Sequence, residues 1–172
     1  LGGCAVITGD SGIGKTKTIQ KYARDNPTKT IVITASVFHH TTNDILYLLA
    51  AELGIHDSNK RRIKNALFSK LRDGMIIIVD EAQELTYQAV NALRSISDYF
   101  EAKCETVGLA FVGNPCFYNK FNGRYTSERV QVSSRFVTEP TYTAEQIQFE
   151  DTKMLYPQLT QQNMLPELMF LH

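Results

Sequence analysis

The sequence holds no CxxC pair, no excess of charge of either sign, and no apolar run near the ~20 residues of a membrane span. Each absence excludes something. Cys4, Cys104 and Cys116 lie far apart, an odd number without metal-ligand spacing. They read as reduced thiols in a cytoplasmic protein, against a disulfide framework or a zinc site. The 18 Lys and Arg balance the 18 Asp and Glu. Total charge therefore announces no polyanionic partner, and any basic surface must be local. No secretory signal pattern is visible, and no membrane association is expected. His39-His40 has no third ligand at useful spacing, and no Cys/His pair supports nucleophilic catalysis. The chain opens on Leu1-Gly2-Gly3-Cys4 and stops at Met169-Phe170-Leu171-His172, the abrupt ends expected of a trimmed fragment.

What is present is an alternation of strand and helix patterns in 172 residues, enough for one domain with a sizeable core. Strands are expected at Cys4–Thr8, Thr30–Thr34, Met75–Val79, Val107–Val112 and, more briefly, Phe136–Thr138. Helices are expected at Lys15–Arg24, Asn43–Leu53, Lys60–Arg72 and Thr86–Glu101, with another in part of Cys116–Ser134. Strands this apolar are buried on both faces, which implies a parallel sheet covered by helices. No internal repeat or low-complexity segment appears. The pattern weakens past Pro140. With Gly9-Asp10-Ser11-Gly12-Ile13-Gly14-Lys15-Thr16 after the first strand, the expected organisation is an α/β P-loop core over residues 1–140, with a five-stranded parallel sheet sandwiched by helices. Residues 141–172 would form a partial helical lid.

Gly9-Asp10-Ser11-Gly12-Ile13-Gly14-Lys15-Thr16 fits GxxxxGK[ST], between an apolar strand and a helix. Glycines let successive backbone N–H groups curl around phosphates without a side-chain clash. The following helix aims its positive end at the same anion. Lys15 would reach the β- and γ-phosphates of ATP, and Thr16 would ligate Mg²⁺. Lys17 completes the nucleotide-contacting set. A lysine-bearing turn is the bland alternative, and a second motif weighs against it. Met75-Ile76-Ile77-Ile78-Val79-Asp80-Glu81 is an apolar strand ending in two carboxylates, the Walker B pattern. Asp80 would hold Mg²⁺, and Glu81 would polarise the attacking water as general base, giving ATP hydrolysis. An acidic turn capping the next helix is the competing explanation for this pair.

Two further polar residues flank apolar strand patterns, Asn114 after one and Arg135 before another. Asn114 ends VGLAFVGN, where it either hydrogen-bonds the γ-phosphate or attacking water, or simply turns the chain before Pro115. Arg135, in SSRF, would point away from its own nucleotide. Presented to a neighbouring subunit, it would stabilise transition-state charge in trans, which requires a head-to-tail oligomer. Arg124 and Arg129 compete for that role, and a surface arginine paired with Glu139 or Glu128 is the alternative.

GDSGIGKT, IIIVDEAQEL, LAFVGN and SSRF, in this order, resemble the AAA+ ATPases. The stretches TTNDILYLLAAELGI, IIIVDEAQELTYQAVNALRSISDYFEA and LAFVGNPCFYNKF are similar to the AAA+ ATPases of DNA transposition, the Mu B, TnsC and TniB type. Secretion ATPases of the ExeA type share much of this pattern, and replication initiators or helicase loaders are a further alternative. A nucleotide-switch NTPase is a rival from another class. The resemblance covers roughly residues 1–145. It implies an ATP-dependent ATPase that binds double-stranded DNA without sequence specificity and assembles on it as a helical filament or ring. It implies target-DNA selection and activation of a transposase. It gives Lys15, Thr16, Asp80, Glu81, Asn114 and Arg135 the roles named above, and makes Val107–Val112 the candidate for a strand lying between the two Walker strands in the sheet. Two departures stand out: the N-terminal extension of such proteins is missing, and no arginine follows Arg135 to serve as a lid sensor.

The most basic stretch is Ser58 to Arg72. As a helix it would bury Ile63, Leu67 and Leu71 and turn Arg61, Arg62 and Arg72 outward, with Lys60 at its start and Lys64 and Lys70 flanking the stripe. Lys60, Arg61, Arg62, Lys64 and Arg72 are the candidate DNA contacts, against the alternative of an ordinary solvated face. Tyr118, Phe121 and Tyr125 would stack on bases or, more simply, pack.

Overall fold

The computed structural model describes residues 3–117, 136–138 and 141–143, the 136–138 segment by its backbone. Strands and helices alternate in the order expected. They are β1 (Cys4–Gly9), α1 (Lys15–Asp25), β2 (Thr30–Thr34), α2 (Thr42–Glu52), α3 (Lys60–Lys70), β3 (Met75–Asp80), α4 (Tyr87–Glu101), β4 (Val107–Gly113), β5 (Phe136–Thr138) and β6 (Thr141–Tyr142). A 3₁₀ turn, Ala82–Glu84, links β3 to α4.

The sheet runs β2-β3-β4-β1-β5, with every pairing parallel. β4 lies between β1 and β3, as expected for the Val107 segment, and separates the two motif-bearing strands. β6 also pairs with β1. It aligns Thr141 with Thr8 and Tyr142 with Gly9, on the edge that β5 occupies beside Cys4 and Ala5. The sheet thus takes in two residues past the expected core boundary at Pro140. The remainder of the expected lid, 144–172, lies outside the described residues, as do Arg135, the aromatics Tyr118, Phe121 and Tyr125, and the part beyond residue 117 of the Cys116–Ser134 segment in which a helix is expected.

The alternation of strand side chains divides the core. Val6, Ile31, Ile33, Ile77, Val79, Leu109 and Phe111 face the layer of α2, α3 and α4. Ile78, Ala110 and Val112 face Ile19 of α1 on the other side. Burying a branched aliphatic side chain is worth about 1.5–3 kcal/mol, and Ile77, Val79, Ile63 and Leu93 are all at most 1 % exposed.

Local chemistry fixes the helix ends. Thr41 and Asp44 form a reciprocal capping box at α2, Asn59 caps α3 through the Arg61 and Arg62 N–H groups, and Thr86 caps α4. Thr86 also donates its N–H and its hydroxyl to the His40 carbonyl, joining the starts of α2 and α4. α3 stops two residues earlier than its pattern suggests. Leu71 turns extended and stays buried, and Gly74, at φ +77°, takes the chain into β3. Arg72 therefore leaves the helix face on which periodicity placed it.

Candidate active site

The carboxyl ends of β1, β3 and β4 lie side by side, which is where parallel α/β sheets open a binding crevice. Three segments meet there: the loop after β1, the acidic end of β3, and Asn114 after β4.

The loop Gly9–Thr16 needs its glycines for two different reasons. Gly12 and Gly14 sit at φ +84° and +90°, where L side chains are strained. Gly9 is not in that region. A Cβ there would collide with the Ile13 side chain and lie 2.8 Å from the Tyr142 carbonyl of β6. Gly14 precedes α1 without a side-chain cap, so the first N–H groups of the helix are served by no residue of their own cap. Lys15 bridges the ends of the loop, donating from Nζ to the carbonyls of Gly9 at 2.9 Å and Asp10 at 2.7 Å. The Thr8 and Thr141 hydroxyls are hydrogen-bonded at 2.9 Å, and the Asp10 N–H donates to Tyr142, so β6 steadies the loop's entry. Ser11 and Lys17 are exposed.

Thr16 connects the loop to β3. Its hydroxyl donates to Asp80 Oδ2 at 2.7 Å, and Asp80 Oδ1 accepts the Glu81 N–H at 3.0 Å. Asp80 is only 3 % exposed, and both its oxygens are partnered, as a buried carboxylate requires. A hydroxyl and a carboxylate at one point, beside a lysine and an uncapped helix start, suit a hard divalent cation carrying phosphate oxygens.

Glu81 adopts a left-handed conformation, φ +53° and ψ +37°, at an order-of-magnitude cost of ~1 kcal/mol for a residue with a Cβ. Its carboxylate is exposed and accepts a short hydrogen bond from Gln83 Nε2. Gln83 Oε1 accepts the Asn114 N–H at 3.1 Å. Gln83 thus joins the end of β4 to Glu81. Sequence reasoning singled out the neighbouring acids and passed over this amide, although the DEAQ stretch contains it. Asn114 does turn the chain, because its Oδ1 accepts the Cys116 N–H at 3.0 Å. Its amide nitrogen is the donor left for a ligand, so the turning role and the sensor role are compatible.

The basic candidates do not converge in this way. Lys60, Arg61, Arg62 and Lys64 are all exposed along α3. Arg62 lies 4.0 Å from Asp57, a surface pair worth little. Lys70 donates to the Leu53 carbonyl at 2.6 Å, closing the end of α2. Arg72 is exposed beyond the helix. His39 is engaged with the Ser36 hydroxyl through Nδ1 in a tight turn.

Residues 1–121 match the family described as "AAA domain". Over 123 residues the chain is 37% identical to the Mu-like prophage FluMu DNA transposition protein B of Haemophilus influenzae, covering 69% of this chain and 40% of that protein. It is 30% identical over 135 residues to the ATP-dependent target DNA activator B of Escherichia phage Mu, covering 76% of this chain and 41% of that protein. The chain thus spans about two fifths of the length of these relatives. The crystal structure of Cdc6p from Pyrobaculum aerophilum superposes with a TM-score of 0.62 at 16% identity, over 90% of this chain and 42% of that one, a likeness of fold. The family match covers both motif strands and the loop between β1 and α1, and the chain belongs to the AAA domain family, the AAA+ ATPases.

Proposed function

We propose that this chain is the ATPase core of a protein that assembles on double-stranded DNA, selects it as a transposition target and activates a transposase. The observation that carries the reading is the 2.7 Å contact between Thr16 and Asp80. It joins two motifs that are 64 residues apart, which supports reading them as one site, in a chain similar to a DNA transposition protein B and a target DNA activator B.

When bound, Mg²⁺–ATP would supply the phosphoanhydride bond and the charge that neutralises its oxygens. The residues divide the remaining work. Gly9–Thr16 offers backbone N–H groups in a curl held open by Gly12 and Gly14. Lys15 exchanges its loop carbonyls for phosphate oxygens, and Lys17 adds positive charge at the first turn of α1. Thr16 and Asp80 would hold the cation. Glu81 accepts a proton from water, and Asn114 orients that water or the terminal phosphate. Lys60, Arg61, Arg62 and Lys64 on α3, with Arg72 beyond it, neutralise DNA phosphates without reading sequence. Arg135 of one copy serves the nucleotide of the next.

The test uses the intact protein with duplex DNA, ATP and a cognate transposase. DNA binding is expected to require ATP, to weaken steeply with salt, and to stimulate strand transfer. In the same assay, Arg135→Ala should slow ATP turnover only in the assembled state. ATP-independent DNA affinity, or no effect on the transposase, would refute the reading.

A further inference from the structure

We infer that Gln83 is a positioning residue for ATP hydrolysis, an amide clamp that holds the Glu81 carboxylate in register with the end of β4. The inference rests on Glu81 acting as the base proposed above.

The polarity of its two partners fixes the clamp. One partner is the Asn114 backbone N–H, which can only donate, and it meets Gln83 Oε1 at 3.1 Å. The other is the Glu81 carboxylate, which accepts when ionised, and it meets Nε2. Only one orientation of the Gln83 amide satisfies both, so the side chain cannot flip without losing two hydrogen bonds at once. The backbone is shaped for it. Gly113 offers no Cβ, and one there would collide with Gln83 Oε1. The Leu85 N–H donates to the Ala82 carbonyl and the Glu84 N–H to the Glu81 carbonyl, which holds Gln83 within a closed 3₁₀ turn.

The consequence is a direct link between two ends of the sheet. Glu81 stands on a left-handed residue after β3, exposed, where its side chain would otherwise sample several rotamers. Gln83 restricts it by attaching it to the residue that follows β4. Any ligand that shifts Asn114 therefore shifts the general base, with no need for contact between the ligand and Glu81. A base held in one geometry contributes more than the same base free to rotate.

The inference is tested by ATP turnover and ATP affinity of the intact protein in Gln83→Ala, Gln83→Glu, Glu81→Gln and the Glu81→Gln/Gln83→Ala double variant. Gln83→Ala should lower kcat about 10- to 100-fold and leave ATP affinity unchanged. Gln83→Glu is nearly isosteric and keeps an acceptor for the Asn114 N–H, but it sets a carboxylate against Glu81. Its kcat should fall at least as far. Gly113→Ala should give a smaller loss of the same kind, by displacing the amide. The double variant should turn over no more slowly than Glu81→Gln alone, because a clamp has nothing to position once the base is gone. Wild-type kcat in Gln83→Glu, or losses that multiply in the double variant, would overturn the inference while leaving Glu81 in its role. Normal turnover by Glu81→Gln would instead overturn the role of Glu81, and the clamp with it.

Discussion

Lys15 and Lys64 are the same side chain in opposite settings. Lys15 is half-buried and held by two carbonyls of its own loop, next to a threonine already bonded to a buried aspartate. Lys64 is exposed, one of four basic candidates spread along α3 that meet at no common point. The first setting converges, so each group depends on its neighbours. The second disperses charge over a surface, where each residue contributes a small share of a long-range attraction. A convergent site fails when one member is removed, whereas a dispersed surface fails by degrees.

That contrast can be broken by substitution. Glu81→Gln should have the largest effect, lowering turnover by about 10²–10⁴ while ATP stays bound; a pre-steady-state burst assay would detect the trapped complex. Lys15→Ala should weaken ATP binding by about 1.5–3 kcal/mol, the loss of charge-assisted hydrogen bonds, as read by titration with a fluorescent ATP analogue. On α3, any single alanine at Lys60, Arg61, Arg62 or Lys64 should change DNA affinity only a few-fold. The quadruple variant should flatten the log–log salt dependence by about 0.9 for each DNA phosphate that it no longer neutralises. An equally severe loss from one α3 residue would mean that this face, too, is a convergent site.

The smallest effect concerns stability. The Thr41 hydroxyl, the Thr41 N–H and the His40 N–H all donate to Asp44, which holds its carboxyl below the ordinary value. A carboxyl lowered on folding stabilises above its unfolded pKa, near ~4. That contribution is lost as pH falls through the lower folded value. Thr41→Ala should therefore reduce the melting temperature at neutral pH and flatten its decline below about pH 4. Thermal melts at several pH values would show this.

The strands and the glycine-rich loop before α1 were legible because their signals are local. CAVIT, TIVIT and MIIIV carry burial on both faces in their composition, and GxxxxGK[ST] specifies a backbone path. The placement of Val107–Gly113 between β1 and β3 followed from the family resemblance and is what the sheet has. Three features were hidden. β6 depends on pairing with β1, 133 residues away at Thr8 and Thr141, and two residues carry no strand pattern. Arg72 was assigned to a helix by periodicity, but burial of Leu71 and the turn at Gly74 ended that helix at Lys70. Gln83 looked like one polar residue after two acids; its partners are the residues that follow β3 and β4, and only the folded sheet brings them together.

The most direct test of the central claim, that Thr16 and Asp80 hold one cation for the nucleotide, is calorimetric. ATP affinity would be measured with and without Mg²⁺ in the intact protein, in Thr16→Ala, in Asp80→Asn and in the double variant. Each single substitution should abolish most of the gain in affinity that Mg²⁺ gives, and the double variant should lose no more than either alone. Full Mg²⁺ dependence in either single variant, or losses that add, would contradict a shared site.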